Sequence, residues 1–139
     1  MLTTQIVTAG NLAEEPKLAW SAKGTAVLTL TVLVNHGRYD DNRNWIESLP
    51  TRHLVKAFGR LAENVADSLS TGDRVVIVGA QRAEEWHDRV TKERRITVWV
   101  HADEIGASLG YAIAKPERTG RQTAHIPADT EVPALASVA

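Results

Sequence analysis

At 139 residues the chain is long enough for one domain with a real core and a short tail. It contains no cysteine, which excludes disulfides and thiolate chemistry and fits a reducing cytoplasm. A formal net charge of −1 excludes the strongly basic surface of many duplex-DNA binders, so any cationic footprint must come from an uneven distribution of charge.

The N-terminus, MLTTQIVTAG, lacks a basic region followed by an apolar run, and nothing later approaches membrane-spanning length. Polar and apolar residues alternate from Thr3 to Ala9 and stop at Gly10-Asn11, a turn signal. Pro16 precedes a short run, Lys17 to Ser21, and Ala22-Lys23-Gly24 turns the chain again. Thr25 to Val34 alternates Thr29 and Thr31 against Leu28, Leu30 and Val32, the pattern of a long, partly buried strand. His36 to Pro50 reads as a polar loop holding Tyr39 and Trp45, and Arg52 to Gly59 as the third main strand.

The period then changes. Leu61, Val65 and Leu69 recur every four residues with Ala62 and Ala66 beside them, a narrow apolar stripe on one helix face, and Gly72 stands beyond as a C-terminal stop. Arg74 to Ala83 and Arg94 to Ala102 read as the fourth and fifth strands of a long hairpin joined by HDRVTKE. Asp103 to Ala114 suits an added strand or interface arm, and from Pro116 onward the lost periodicity predicts a disordered tail, residues 116–139. One helix between strands three and four of an all-β domain, residues 1–115, predicts a five-stranded Greek-key barrel.

The residue chemistry argues against an enzyme. His36, His53, His87, His101 and His125 are scattered without metal-site spacing, and no cysteine can join them. Asp40-Asp41 and Glu84-Glu85 are adjacent, so on extended chain they point to opposite faces and make no acid–base pair. The glycines are single turn formers rather than a phosphate loop. No catalytic residue, metal or cofactor is expected.

A groove for single-stranded nucleic acid needs aromatic faces for bases and cations along the backbone track. In the third strand Arg52, Leu54, Lys56 and Phe58 share one parity, placing two cations and a ring on one face. Trp86 follows Glu84-Glu85 near the hairpin tip, where no core is available to it. Trp20, Tyr39 and Trp45 are further candidate rings, whereas Trp99, between Val98 and Val100, reads as core or interface packing. Arg38, Arg60, Arg82 and Arg94 complete the candidate set, since they fall on or beside these strands and loops.

These segments, GNLAEEPKLAWSAKGTAVLTLTV, HLVKAFGRLAENVADSLSTGDRVVIVGAQRAEEW and RRITVWVHADEIGASL, closely resemble bacterial single-stranded DNA-binding proteins in order and spacing, over about residues 3 to 115. The most specific elements are Gly10-Asn11-Leu12 with Pro16 beyond, Phe58-Gly59 leading into Leu61-Ala62-Glu63, and Gly72 followed by VVIVG with Trp86 past its end. The resemblance implies an OB fold, a homotetramer that wraps single-stranded DNA, and a cytoplasmic, nucleoid-associated location. DEIGASLGYAIAK looks like the actinobacterial branch, in which extra C-terminal chain clamps neighbouring subunits, and so implies a short clamp-like strand here. Phe58 and Trp86 match the family's stacking aromatics by position. Arg52 stands where well-known members carry tryptophan, and Arg38, or Tyr39 beside it, falls near another such place. Arginine also stacks on bases and pairs with phosphate, so binding here would lean more on charge and be more salt-sensitive.

The ending TEVPALASVA departs from the aspartate-rich, Pro-Phe tip with which family members recruit replication enzymes. A short paralogue without tail-mediated recruitment is therefore expected, binding and protecting single-stranded DNA in replication, recombination, repair or chromosome segregation, or in competence. The alternative is an OB-fold protein–protein adaptor or mixed-oligomer subunit with weak DNA affinity, which the near-neutral charge and Arg52 motivate.

Overall fold

The computed structural model describes residues 3–119. In chain order these form β1 (Thr4–Leu12), β2 (Lys17–Trp20), β3 (Ala26–Val34), β4 (Gly37–Tyr39), β5 (Trp45–Glu47), β6 (Thr51–Phe58), α1 (Gly59–Ser68), β7 (Arg74–His87) and β8 (Arg94–Ala107). The main sheet runs β1-β7-β8-β6-β3-β2, and β1 pairs back onto β3. That extra pairing closes β1, β3, β6, β7 and β8 into the expected five-stranded barrel, with β2 hung on the edge of β3 and the helix between its third and fourth strands.

Closure explains the bend at Gly10-Asn11. β1 pairs with β7 from Thr4 to Asn11 and then reaches β3 through Asn11 and Leu12. A Cβ on Gly10 would run into the Leu33 carbonyl, so only glycine lets the two strands approach at this corner. The opposite seam is a short parallel pairing of β6 with β8, Val55 opposite Val100 and Lys56 opposite His101.

The alternation in the sequence is the alternation of the barrel wall. Leu12, Leu28, Leu30, Val32, Val55, Ala57, Val75, Ile77 and Val100 point inward and are buried. α1 plugs one end with Ala62 and Val65, while Leu61, Ala66 and Leu69 pack around them. Burying each Val, Leu or Ile side chain contributes roughly 1.5–3 kcal/mol, which is what makes the inward parity decisive.

Several expectations are corrected. The helix ends at Ser68, before Gly72; Gly72 (φ 90°) instead belongs to a tight turn in which Asp73 Oδ2 accepts from the Ser70 N–H at 2.9 Å. The polar loop contains the β4–β5 hairpin, whose three-residue strands are too short to leave a periodic signal. β7 and β8 each run 14 residues, past the expected ends at Ala83 and Ala102. Near its tip this ribbon is exposed on both faces, so charged residues are tolerated at either parity and the pattern disappears. The predicted clamp-like strand is, over its first residues, the end of β8; among the described residues no strand follows Ala107. Residues 108–119 lead past α1, where Thr119 Oγ1 donates to Asn64 Oδ1 at 2.9 Å. The predicted disordered tail lies outside the described residues except for 116–119.

Candidate nucleic-acid interface

Residues opposite one another in a ladder project to the same side, so the register shows which side chains meet. On β6, Val55 and Ala57 are in the core, which leaves Arg52, Leu54, Lys56 and Phe58 on the outer face. His101 lies opposite Lys56 across the β6–β8 seam, and Trp99 two residues earlier shares its side. On β7, Arg82, Glu84 and Trp86 stand opposite Trp99, Thr97 and Arg95. One continuous surface thus carries Phe58, Trp86, Trp99 and His101 among Arg52, Lys56, Arg82 and Arg95.

The rings are not idle surface. Phe58 and Trp86 are 45% and 47% exposed, enough for a flat ligand to lie on either. Trp86 Nε1 donates to Thr97 Oγ1 at 2.8 Å, which fixes the indole plane across the ribbon. His101 stacks on Phe58 with centroids 5.8 Å apart and planes 30° from parallel. Lys56 Nζ sits 4.4 Å from the centroid of Trp99, a cation–π distance.

A carboxylate occupies the middle of this surface. Glu84 accepts a hydrogen bond from Lys56 through Oε2, and its Oε1 lies 3.0 Å from His101 Nε2. The Lys56 hydrogen bond is the main reason the Glu84 carboxyl is held below the ordinary carboxylate range; desolvation opposes it, and the charge of Lys56 and the His101 contact add to it. Arg94 pairs with Glu85, and Arg95 with Glu93 at 3.2 Å. The guanidinium groups of Arg52 and Arg82 make no hydrogen bond or ion pair among the described residues.

The remaining candidates lie elsewhere. Trp20 is opposite buried Ala26, so it has the inward parity, and at the β2 edge it protrudes past the core rather than joining Phe58. Arg94 has the parity of Ile96 and Val98, on the other side of the ribbon from Trp86; its neighbour Arg95 faces Trp86. Arg60 is exposed in the first turn of α1. Tyr39 and Trp45 form an edge-to-face pair (5.1 Å, 70°) on the β4–β5 hairpin, with Arg38 on its opposite face, opposite Ile46. The hairpin is a separate two-stranded sheet, so it does not extend the barrel face. Trp45 lies directly on Gly37, where a Cβ would collide with the indole.

Trp99 and His101 are the residues sequence reasoning missed. The signal was present: Val100 is the buried member of Trp99-Val100-His101, so its neighbours must face out. Among the described residues no group of three or more His, Asp or Glu is placed to hold a metal ion, and no helix is long and apolar enough to cross a membrane.

Comparison with known proteins gives this surface its context. Residues 3–108 match the model of the single-strand binding protein family. The chain belongs to that family. Among curated relatives named single-stranded DNA-binding protein, that of Mycobacterium leprae is 35% identical over 85% of this chain and 70% of its own length. That of Paenarthrobacter aurescens is 34% identical over 85% and 69%. The small single-stranded DNA-binding protein of Streptomyces coelicolor superposes with a TM-score of 0.65 at 26% identity, covering 78% of this chain and 97% of that one. The family's fold is thus an OB barrel with one helix, and its extent in this chain stops at the end of β8, close to where the described strands stop.

Proposed function

We propose that the chain binds single-stranded DNA along the β6–β8–β7 face, without reading base edges. The observation that carries this reading is the placement of Phe58, Trp86 and Trp99 on one surface with the guanidinium groups of Arg52 and Arg82, which have no acidic partner among the described residues. Every base offers a π-face, each stack contributing ~1–3 kcal/mol, so rings and cations in this arrangement bind strands of any sequence. The names of the relatives point the same way. Lys56 and Arg95, each paired with an acid in the free chain, reach a strand only by exchanging that partner. Tyr39 and Trp45 offer a second stacking surface on the β4–β5 hairpin, whose other face carries Arg38. Trp20, Arg60 and Arg94 stand off the face and touch a strand only where it passes around the barrel.

A homotetramer is part of the proposal. The side of β1 and β7 turned away from the core carries Val7 opposite Val78 and Ala9 opposite Val76, and Val7 is 73% exposed. Such a row suits burial against a second copy. The protein is read as a binding protein rather than an enzyme, acting in the cytoplasm at the nucleoid during replication, recombination, repair or segregation. Titration with oligo-dT at low salt tests the reading. Quenching of tryptophan fluorescence is expected, and a folded protein showing no quench and no binding contradicts it.

A further inference from the structure

We propose that Glu84 sets the affinity of this face by standing in for a DNA phosphate: it occupies Lys56 and His101 in the free protein and must give them up when a strand binds. The proposal rests on the reading of the β6–β8–β7 face as the DNA path.

The geometry is that of an internal ligand. The two carboxylate oxygens take different partners, Lys56 on Oε2 and His101 on Oε1. Each partner also lies against a ring, Lys56 over Trp99 and His101 on Phe58. One acid therefore holds two side chains over two of the surfaces on which bases would stack. A phosphate presents the same chemistry, two or more anionic oxygens at hydrogen-bonding distance, so it competes for the same donors.

The position is open to that competition. The Lys56 and Glu84 side chains keep 21% and 34% of their surface, so the pair sits at the edge of solvent rather than in the core. Ion pairs this accessible add little to stability. A lysine already neutralised by its own protein also releases no counterion to an incoming strand, so it adds nothing to the salt dependence until Glu84 is removed. The opposite possibility, that Glu84 orients Lys56 for DNA, makes the reverse prediction about its removal.

The test is oligo-dT affinity measured against salt for the full chain, Glu84→Gln and Trp86→Ala, with Glu63→Gln on the exposed side of α1 as a control for the same change in net charge. Glu84→Gln is expected to bind several-fold tighter at low salt, with a log–log salt slope steeper by about 0.7, one phosphate contact on a single strand. Glu63→Gln is expected to leave the slope unchanged. Glu84→Ala, which does not keep the amide in the pair, is expected to move affinity and slope in the same direction. Unchanged or weaker binding by both Glu84 variants, with Trp86→Ala still impaired, overturns the proposal and leaves the site standing. If Trp86→Ala also binds as the parent does, the assignment of the face falls together with the proposal.

Discussion

Trp86 stands on a ribbon with no core beneath it, and its indole N–H is tied to Thr97 across the strands. Replacing it with alanine is expected to cost ~1–3 kcal/mol of oligo-dT affinity while leaving the melting temperature nearly unchanged, a separation that circular dichroism and fluorescence titration will show. Thr97→Val removes the acceptor and keeps the shape, so a smaller loss is expected. At this scale the sequence was legible wherever a side chain's parity could be referred to a buried neighbour. Arg52, Lys56 and Phe58 were placed correctly because Val55 and Ala57 are plainly core residues. Trp99 reads as core or interface packing because its neighbours Val98 and Val100 look alike, but it stands outside the core, since Val98 is exposed where the ribbon leaves the barrel and Val100 is the buried one. Trp20 has core parity but stands on an edge strand, beyond the reach of the core it points toward.

Among the elements, the β7–β8 ribbon and the β4–β5 hairpin are the two that leave the barrel. The ribbon's turn is organised by Asp88, whose Oδ1 accepts from the Val90 and Thr91 amides at 2.8 and 3.0 Å. The Thr91 and then the Val90 hydrogen bond hold the Asp88 carboxyl below its ordinary value. The ionised form is the one the fold favours, so its support is present at neutral pH and lost as pH falls through the lowered value. Asp88→Ala is expected to speed amide exchange at residues 88–93 at neutral pH and to make little difference in acid. On the hairpin, Gly37→Ala forces the Trp45 ring away and is expected to disturb the Tyr39–Trp45 pair, visible in the indole NMR signals. Neither extension was readable at full length. Periodicity reports a buried face, and an element exposed on both faces has none to report.

The whole molecule is a small barrel whose stability rests on one inward-facing set. Leu28 is fully buried in it, and Leu28→Ala is expected to destabilise the fold by about 2–5 kcal/mol in denaturant unfolding. Five strands with the helix between the third and fourth could be read because this set alternates strictly. The closure by β1 onto both β7 and β3 left only Gly10-Asn11 as its trace. The near-zero net charge is resolved at this scale too. Acidic side chains neutralise Lys56, Arg94 and Arg95 on the ribbon and its seam, while the guanidinium groups of Arg52 and Arg82 have no acidic partner among the described residues, so the cationic character is local and modest. Glu84 carries an acid signature as well. Its lowered carboxyl stabilises the fold above the ordinary carboxylate range, and that contribution disappears as pH falls through the lowered value. Glu84→Gln is therefore expected to melt with a shallower acid limb than the parent.

The most direct measurement is the oligo-dT affinity of the parent chain and of the Phe58→Ala, Trp86→Ala double variant across a salt series. The parent is expected to bind at low salt and to weaken linearly on a log–log plot. The double variant should bind at least about thirtyfold more weakly, by the loss of two stacks of ~1–3 kcal/mol each, with the same slope because no phosphate contact is removed. Equal affinity for the two proteins, or no binding by the folded parent at low salt, would contradict the placement of single-stranded DNA on this face.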